Sequence, residues 1–264
     1  MGSATREALV GTRAALAELG RAELQVAEDL LAVGRVVGSS SQLRSALTDT
    51  EADDAQKRAL AQSVFGARIT ADAVRLVAAA ASRRWSSGED FVAGLEDLGY
   101  RVAAESAPDG VDLDAELFAF EQAVASDAEL ELALGSKLSP LAPKLAIVDR
   151  LLGGKATPQT VAIVRHLVEQ PRGGRIGELL RHAASVVADQ RGFDVATVTT
   201  AVPLTAEQLG RLQQGLSAQA GRRVRFDTIV DPAVLGGVRV QIGDDVIDGS
   251  VASRLSELRQ KLAG

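Results

Sequence analysis

The side chains that could perform acid-base or metal chemistry are few in this chain of 264 residues. It has no cysteine, which excludes disulfides, thiolate metal sites and cysteine nucleophiles. The two histidines, His166 and His182, have no serine or carboxylate at a spacing that identifies a catalytic arrangement. We therefore expect both on helix surfaces, and the sequence predicts neither a catalytic site nor a bound metal.

One glycine-rich segment has a partial likeness to a phosphate-binding loop. Gly153, Gly154 and Lys155 precede Thr157, but the P-loop pattern needs a further glycine where Asp149 stands. The segment also follows a predicted helix, whereas a P-loop follows a strand. It is therefore interpreted as a turn between helices, and no nucleotide or other cofactor is expected.

Two acidic clusters could bind cations or basic partners. Asp244, Asp245 and Asp248 are better explained as turn and helix-cap residues than as metal ligands. Residues 109–131 contain no basic side chain, and a solvated face beside a linker is favoured there over a docking site for a basic partner. The acidic residues of this stretch are Asp109, Asp112, Asp114, Glu116, Glu121, Asp127, Glu129 and Glu131.

The composition is that of a packed, helix-rich protein. Hydrophobic residues make up 46% of the chain, charged residues 24% and aromatic residues only 3%, so the core must be built from alanine, leucine and valine. The net charge of −6 argues against a nucleic-acid partner. With no secretory signal and no long apolar run, the chain is expected in the cytoplasm, without membrane insertion.

The chain repeats itself at an offset of 87 residues. Leu43 and Leu47 recur as Leu130 and Leu134, and many positions that differ stay apolar. Loop residues recur too: Gly66 and Thr70 reappear as Gly153 and Thr157, and the threonines are predicted helix N-caps. The predicted helices are 5–19, 22–37, 41–47, 53–65 and 70–83 in the first copy, 89–104, 113–125, 127–134, 142–152 and 158–169 in the second, and a closing helix at 174–190.

The periodicity changes after the closing helix. Residues 193–202 and 224–230 read as strands, Thr205 as the cap of a helix between them, and 238–242 and 246–247 as two further short strands. The predicted fold is mostly α with a small α+β C-terminal domain: a duplicated helical bundle and then a mixed sheet covered by two helices. The predicted domains are 1–107, 108–192 and 193–264.

The last quarter of the chain carries a specific arrangement of glycines and caps. Leu235-Gly236-Gly237, Gly243-Asp244 and Ile247-Asp248-Gly249-Ser250 occur in order and are followed by Arg254-Leu255 in a predicted amphipathic helix. This arrangement resembles the C-terminal signature of the delta subunits of F-type ATP synthases, relatives of the mitochondrial oligomycin-sensitivity-conferring protein. The additional helical copy resembles the long delta subunits of actinobacteria.

The resemblance implies a non-catalytic subunit of the peripheral stalk, present once in a hetero-oligomer at the cytoplasmic face of the plasma membrane. Its helical bundle would hold N-terminal segments of the alpha subunits in a groove between the first and fifth helices, 5–19 and 70–83 in the first copy. Its tail would hold the C-terminal end of the b subunit. The partner-binding residues implied by this likeness are Leu9, Leu16, Val74, Val77, Arg254 and Leu258. The four candidates of the helical body could equally be core residues, which is favoured for Val74 and Val77, and the sequence leaves open which copy binds alpha. An independent helical-repeat adaptor is the alternative function.

Overall fold

A computed structural model describes residues 2–136, 139–232, 234, 236–242 and 245–248. The chain divides into two compact units, one up to Val187 and one from Ala188 onward. The helices of the N-terminal part are α1 Ser3–Leu19, α2 Leu24–Ser39, α3 Ser41–Leu47, α4 Asp54–Phe65, α5 Ala71–Ala81, α6 Gly88–Ser106, α7 Leu113–Ala125, α8 Ala128–Gly135, α9 Leu141–Leu152, α10 Pro158–Glu169 and α11 Ile176–Gln190. No helix in these ranges is long and apolar enough to cross a membrane.

The helix ends follow from local chemistry, as the sequence predicts. The hydroxyl oxygens of Thr70 and Thr157 accept hydrogen bonds from backbone amides in the first turns of α5 and α10, and Pro158 opens α10. Helices α4 and α9 end at Gly66 and Gly153, both at negative φ. In the second copy it is the next residue, Gly154, that turns the chain, with a φ of 69°.

The sequence repeat is also a repeat of structure. At the offset of 87 residues, helices α1 to α6 fall on α6 to α11, so α6 ends the first copy and begins the second. Leu47 and Leu134 are both fully buried, and Lys57 and Lys144 are both buried cations. One continuous apolar core contains residues from both copies. The division into three domains, with boundaries at residues 107 and 192, remains a prediction from the sequence.

The closest helix packing in the helical body joins α2 to α6. Leu31 of α2 lies over Gly99 of α6, and a Cβ added at Gly99 would meet the Leu31 side chain at 2.6 Å. Leu30, Val33 and Leu95 are at most 2% exposed. Because α6 belongs to both copies, this packing holds the shared helix at the centre of the core.

The tail is a mixed sheet with one described covering helix. Its elements are β1 Phe193–Thr200, α12 Ala206–Ala220, β2 Arg223–Val230, β3 Val238–Ile242 and β4 Asp245–Asp248. The strand order is β2-β1-β3-β4, and β1 pairs with β2 in parallel and with β3 antiparallel. Thr205 caps α12 together with Gln208, as predicted for Thr205. The predicted fold class is confirmed; the second covering helix lies outside the described residues.

Candidate partner-binding groove

A groove of about 860 Å³ lies between α1, α4 and α5, and we call it the α5 groove. Helix α5 forms its floor, and α1 and α4 form its walls. The residues that line it are Ala15, Glu18, Asp54, Arg58, Ala59, Gln62, Ala71, Val74, Arg75, Ala78, Ala79, Ser82 and Arg83. The resemblance had implied a partner surface between the first and fifth helices, and the α5 groove lies there.

The floor exists because α5 is apolar on two faces. Leu76 and Val77 face the core, at 2% and 0% exposure, whereas Val74, Ala78 and Ala79 line the groove. Alanine combines high helix propensity with the smallest apolar side chain, so it supports the helix without filling the groove. The result is a shallow apolar bed of the kind that accepts the apolar face of another helix.

The rim of the groove is charged, with a small excess of cations. Arg58, Arg75 and Arg83 line it together with only two acids, Glu18 and Asp54. Arg75 Nη1 lies 3.3 Å from Asp72 Oδ1, but both side chains are about half exposed or more, so this pair contributes little and leaves the cation accessible. The electrostatics favour an occupant that carries acidic residues at the edges of its apolar face.

The partner-binding residues that the resemblance implied in the helical body lie in different places: one lines the groove, two are in the core and one is elsewhere on α1. Val74 lines the groove and keeps 6% exposure. Leu16 is 1% exposed and Val77 is fully buried, so both are core residues and offer no surface to a partner. Leu9 is half-buried on α1, away from the residues that line the groove.

Sequence reasoning missed the small residues that form most of the apolar lining. Ala15, Ala59 and Ala79 carry no chemical signal of their own, since alanine is common throughout the chain. The available signal was the run of four alanines, 78–81, which leaves part of the α5 surface without large side chains. A helix with one bulky face and one alanine face is suited to pack against two different neighbours.

The implied residues of the tail, Arg254 and Leu258, lie outside the described residues, as does most of the glycine signature. Within the described tail, the guanidinium groups of Arg223 and Arg225 lie 4.3 Å and 4.1 Å from the centre of the Phe193 ring. These cation–π contacts join the first residues of β1 and β2, which pair in parallel.

His166 is buried, so its prediction as a helix-surface residue is wrong. It is 1% exposed because α10 packs on both α6 and α2. Arg35 Nη1 lies 3.1 Å from His166 Nδ1, and since a guanidinium only donates, Nδ1 is the acceptor. The other ring nitrogen, Nε2, lies 3.3 Å from Glu96 Oε1, and neither of these two atoms makes a hydrogen bond within the described part of the chain. His182 is exposed, as predicted.

Around His166 the charges balance. Arg172 Nη2 lies 2.6 Å from Glu96 Oε2, and Arg35 Nε lies 2.9 Å from Glu169 Oε2. The edge of the Tyr100 ring faces the histidine at 6.2 Å between centroids, and burial, followed by the charge of Glu96, raises the pKa of Tyr100 well above its usual value. Two cations face two carboxylates where α2, α6 and α10 pack together, so the cluster joins these helices.

The acidic stretch is only partly a solvated face, which corrects the prediction. Asp114 and Glu121 are 4% and 3% exposed, and Glu121 pairs with Arg181 of α11. Glu116 accepts hydrogen bonds from Thr157 and Thr160 at the start of α10. The carboxylates of Glu116 and Glu121 therefore point toward neighbouring helices, where they contact groups of α10 and α11.

The glycine-rich segment forms a turn between two helices. Lys155 is exposed in the turn from α9 to α10, and Thr157 is engaged as a cap, as the interpretation of an inter-helix turn requires. Among the described residues, no group of three or more histidine, aspartate or glutamate side chains could hold a metal ion.

Comparisons with known proteins show which family the chain resembles. The family model of the ATP synthase delta (OSCP) subunit matches residues 100–262. The chain is 55% identical to the ATP synthase subunit delta of Leifsonia xyli subsp. xyli, 38% identical to that of Pseudarthrobacter chlorophenolicus and 37% identical to that of Streptomyces griseus subsp. griseus, each over the whole of both chains. A chain of the cryo-EM structure of the Toxoplasma gondii mitochondrial ATP synthase hexamer is 22% identical, with a TM-score of 0.41 over 64% of this chain and 97% of that one.

A mostly helical protein with an open groove on the helical body and a small mixed-sheet tail is the class that the structure defines. The chain belongs to the ATP synthase delta (OSCP) subunit family, as the family match over most of its length and the full-length identity of 55% show. The relatives that match over their whole length come from actinobacteria. This agrees with the resemblance of the duplicated chain to the long delta subunits of actinobacteria.

Proposed function

We propose that this chain is a stator subunit of the peripheral stalk of an F-type ATP synthase. It clamps the alpha subunits of the catalytic head to the b subunit, at the cytoplasmic face of the plasma membrane, as a single non-catalytic copy. The observation that carries the proposal is family membership over the full chain, together with an open apolar groove on a rigid helical body.

The groove supports the alpha-binding half of the proposal. Its apolar floor and cationic rim fit an amphipathic segment with acidic margins, and the N-terminal segments of the alpha subunits are the proposed occupants. Such binding needs buried area and slow dissociation, and it needs no catalytic group.

The tail supports the second half of the proposal because it forms a compact unit of its own. Its small core, built on Ala196, Val198, Val224 and Val240, is separate from the core of the helical body. A protein with two independent units can hold two partners at once, as a clamp requires. We assign the C-terminal end of the b subunit to the tail.

A static link is a mechanical requirement of rotary coupling. If the catalytic head turned with the rotor, proton flow could not drive changes at the nucleotide sites, so the head must be held against torque. Large, slowly dissociating interfaces on rigid elements meet this requirement. The role of this chain is therefore to resist rotation.

Deletion of residues 194–264 tests the assignment in a strain with no intact copy. We expect the truncated protein to bind the catalytic head while proton-driven ATP synthesis by the membranes is lost. The detached head should still hydrolyse ATP once intrinsic inhibition is relieved, since hydrolysis needs only the head and its central shaft. Normal proton-driven synthesis in the truncated strain would rule out the stator role and favour an independent adaptor.

A further inference from the structure

The α5 groove has a counterpart in the second copy. At the offset of 87 residues, its helices α1, α4 and α5 correspond to α6, α9 and α10. The groove residues correspond as well: Val74, Ala78, Ala79 and Ser82 fall on Val161, Arg165, His166 and Glu169. The chain therefore contains the same three-helix arrangement twice.

In the second copy α2 covers the C-terminal part of this face, at His166, Glu169 and Gln170, while Arg165 stays at the surface. Arg35 of α2 contacts His166 and Glu169, at 3.1 Å and 2.9 Å. One turn farther along, a Cβ added at Gly38 would overlap the Gln170 side chain, so α2 and the end of α10 are in close contact. At the other end, Glu28 of α2 borders a recess that Val161, Ala162 and Arg165 also line.

The residues on the two faces differ as their different neighbours require. Ala79 and Ser82 of the first copy are small and uncharged, whereas their counterparts His166 and Glu169 are the two groups that bind Arg35. His166 is 1% exposed beneath α2, but Ala79 lines an open groove. The second face therefore has side chains that bind a helix of the same chain, whereas Ala79 and Ser82 of the first face have no charged group for such a contact.

We infer that α2 is the built-in occupant of the second groove, and that the α5 groove of the first copy is the one that holds the partner helix. The occupant is an amphipathic helix whose acidic residues face Arg58, Arg75 and Arg83. This inference rests on the proposed function and decides which copy grips the catalytic head. The second copy then acts as an extension that is locked to the first by Arg35.

Two matched variants separate the copies. Ala59 and Ala146 occupy equivalent, exposed positions on α4 and α9, so Ala59→Arg and Ala146→Arg place the same charge at the wall of each groove. Binding of the full chain to a catalytic head stripped of this subunit is measured by titration and sedimentation. Ala59→Arg should weaken binding by at least about tenfold, because it puts a bulky cation against the bound helix, and Ala146→Arg should change it by less than about twofold.

Arg58→Glu is a second variant at an exposed site and should also weaken binding at least about tenfold by reversing the rim charge. If Ala59→Arg unfolds at a lower temperature than the wild type, Arg58→Glu still tests whether the α5 groove binds the partner helix. Provided that the wild-type chain binds the head, three results would overturn the inference. Binding could be weakened by Ala146→Arg alone, weakened equally by both alanine variants, or weakened by none of the three variants. Dimers of the chain that Ala59→Arg dissociates would assign the groove to a second copy and also overturn it. A wild-type chain that does not bind the head would refute the proposed function itself.

Discussion

The Oδ2 atom of Asp29 accepts a 2.7 Å hydrogen bond from the backbone N–H of Thr70, and the same link occurs 87 residues later between Glu116 and Thr157, at 3.0 Å. In each copy a carboxylate on the second helix satisfies an amide at the N-cap of the fifth. A negative charge is also favourable there because of the helix dipole. The repeat therefore preserves a tertiary hydrogen bond, although the acid has changed from aspartate to glutamate.

Replacing these acids should destabilise the helical body, and Glu116→Ala should cost more than Asp29→Ala. Glu116 accepts hydrogen bonds from the amide and hydroxyl of Thr157 and from the hydroxyl of Thr160, all of which would lose their partner. We expect a loss of about 1–3 kcal/mol for Glu116→Ala in urea unfolding. Asp109→Ala, at an exposed position, is the control and should stay within about 0.5 kcal/mol. Equal stability of Glu116→Ala and the control would refute the structural role.

The chain has a single tyrosine, so the pKa of Tyr100 can be followed directly by tyrosinate absorbance. Burial, and next the charge of Glu96, raises this pKa well above the usual value. Between about pH 10, where the unfolded chain loses the proton, and the higher folded pKa, only the folded state keeps it. Stability should therefore fall with rising pH in that window, by up to about 1.4 kcal/mol per pH unit from this group.

Tyr100→Phe removes this contribution and is the control. The difference in unfolding free energy between the wild type and the variant should be constant below about pH 9 and should decline above about pH 10. Tyrosinate should appear only together with unfolding. Ionisation of Tyr100 near pH 10 in the folded protein would contradict the burial described here.

Arg35→Ala should loosen the joint between α2 and α10. It leaves His166 Nδ1 and the Glu169 carboxylate without the guanidinium that contacts both, and we expect a loss of about 1–3 kcal/mol. Arg165→Ala is the matched control, since Arg165 pairs with Asp149 at the surface and should contribute about 0–1 kcal/mol. If the two variants melted alike, the His166 cluster would not hold the copies together.

Most of the fold could be predicted from the sequence because its signals are local. The caps at Thr70, Thr157 and Thr205 and the change of period at Phe193 each depend on a few neighbouring residues. The groove location came from the family resemblance, and its alanine lining could not be found by residue type. Helical periodicity alone does not tell a core alanine from a groove alanine.

The errors at His166 and in the acidic stretch have one cause. Each depends on which helix packs on which across a long sequence separation, and a local pattern contains no such information. His166 is buried because α2, 131 residues away at Arg35, covers it. The sharing of α6 by both copies was likewise hidden, because α6 falls on α1 and on α11 by position while few of the residues themselves recur.

The helical body and the tail should behave as separate folding units. Residues 2–187 form one compact unit, and the tail has a core of its own. We expect a fragment of residues 1–190 to be almost wholly helical by circular dichroism and to melt cooperatively. Thr205→Ala in the full chain should lower the stability of the tail by about 0.5–2 kcal/mol and leave the helical transition unchanged. A substantial sheet signal from the fragment, or a shift of both transitions, would contradict the division.

The charged rim and the apolar floor of the α5 groove should affect different steps of binding to the catalytic head. The rim arginines lie at the exposed edge, so Arg83→Glu should slow association, by about tenfold at low salt, and leave dissociation nearly unchanged. The effect should shrink as the ionic strength rises from about 0.05 M to about 0.5 M, since exposed charges are then screened.

Ala79→Asp on the floor should instead speed dissociation, because it places an unpaired charge against the bound helix. Lys155→Glu, in the exposed turn of the second copy, is the charge-matched control and should change neither rate. Stopped-flow and surface-binding measurements of both rates would test this assignment, and an equal slowing of association by Arg83→Glu and Lys155→Glu would show that net charge alone, and not the groove, directs the encounter.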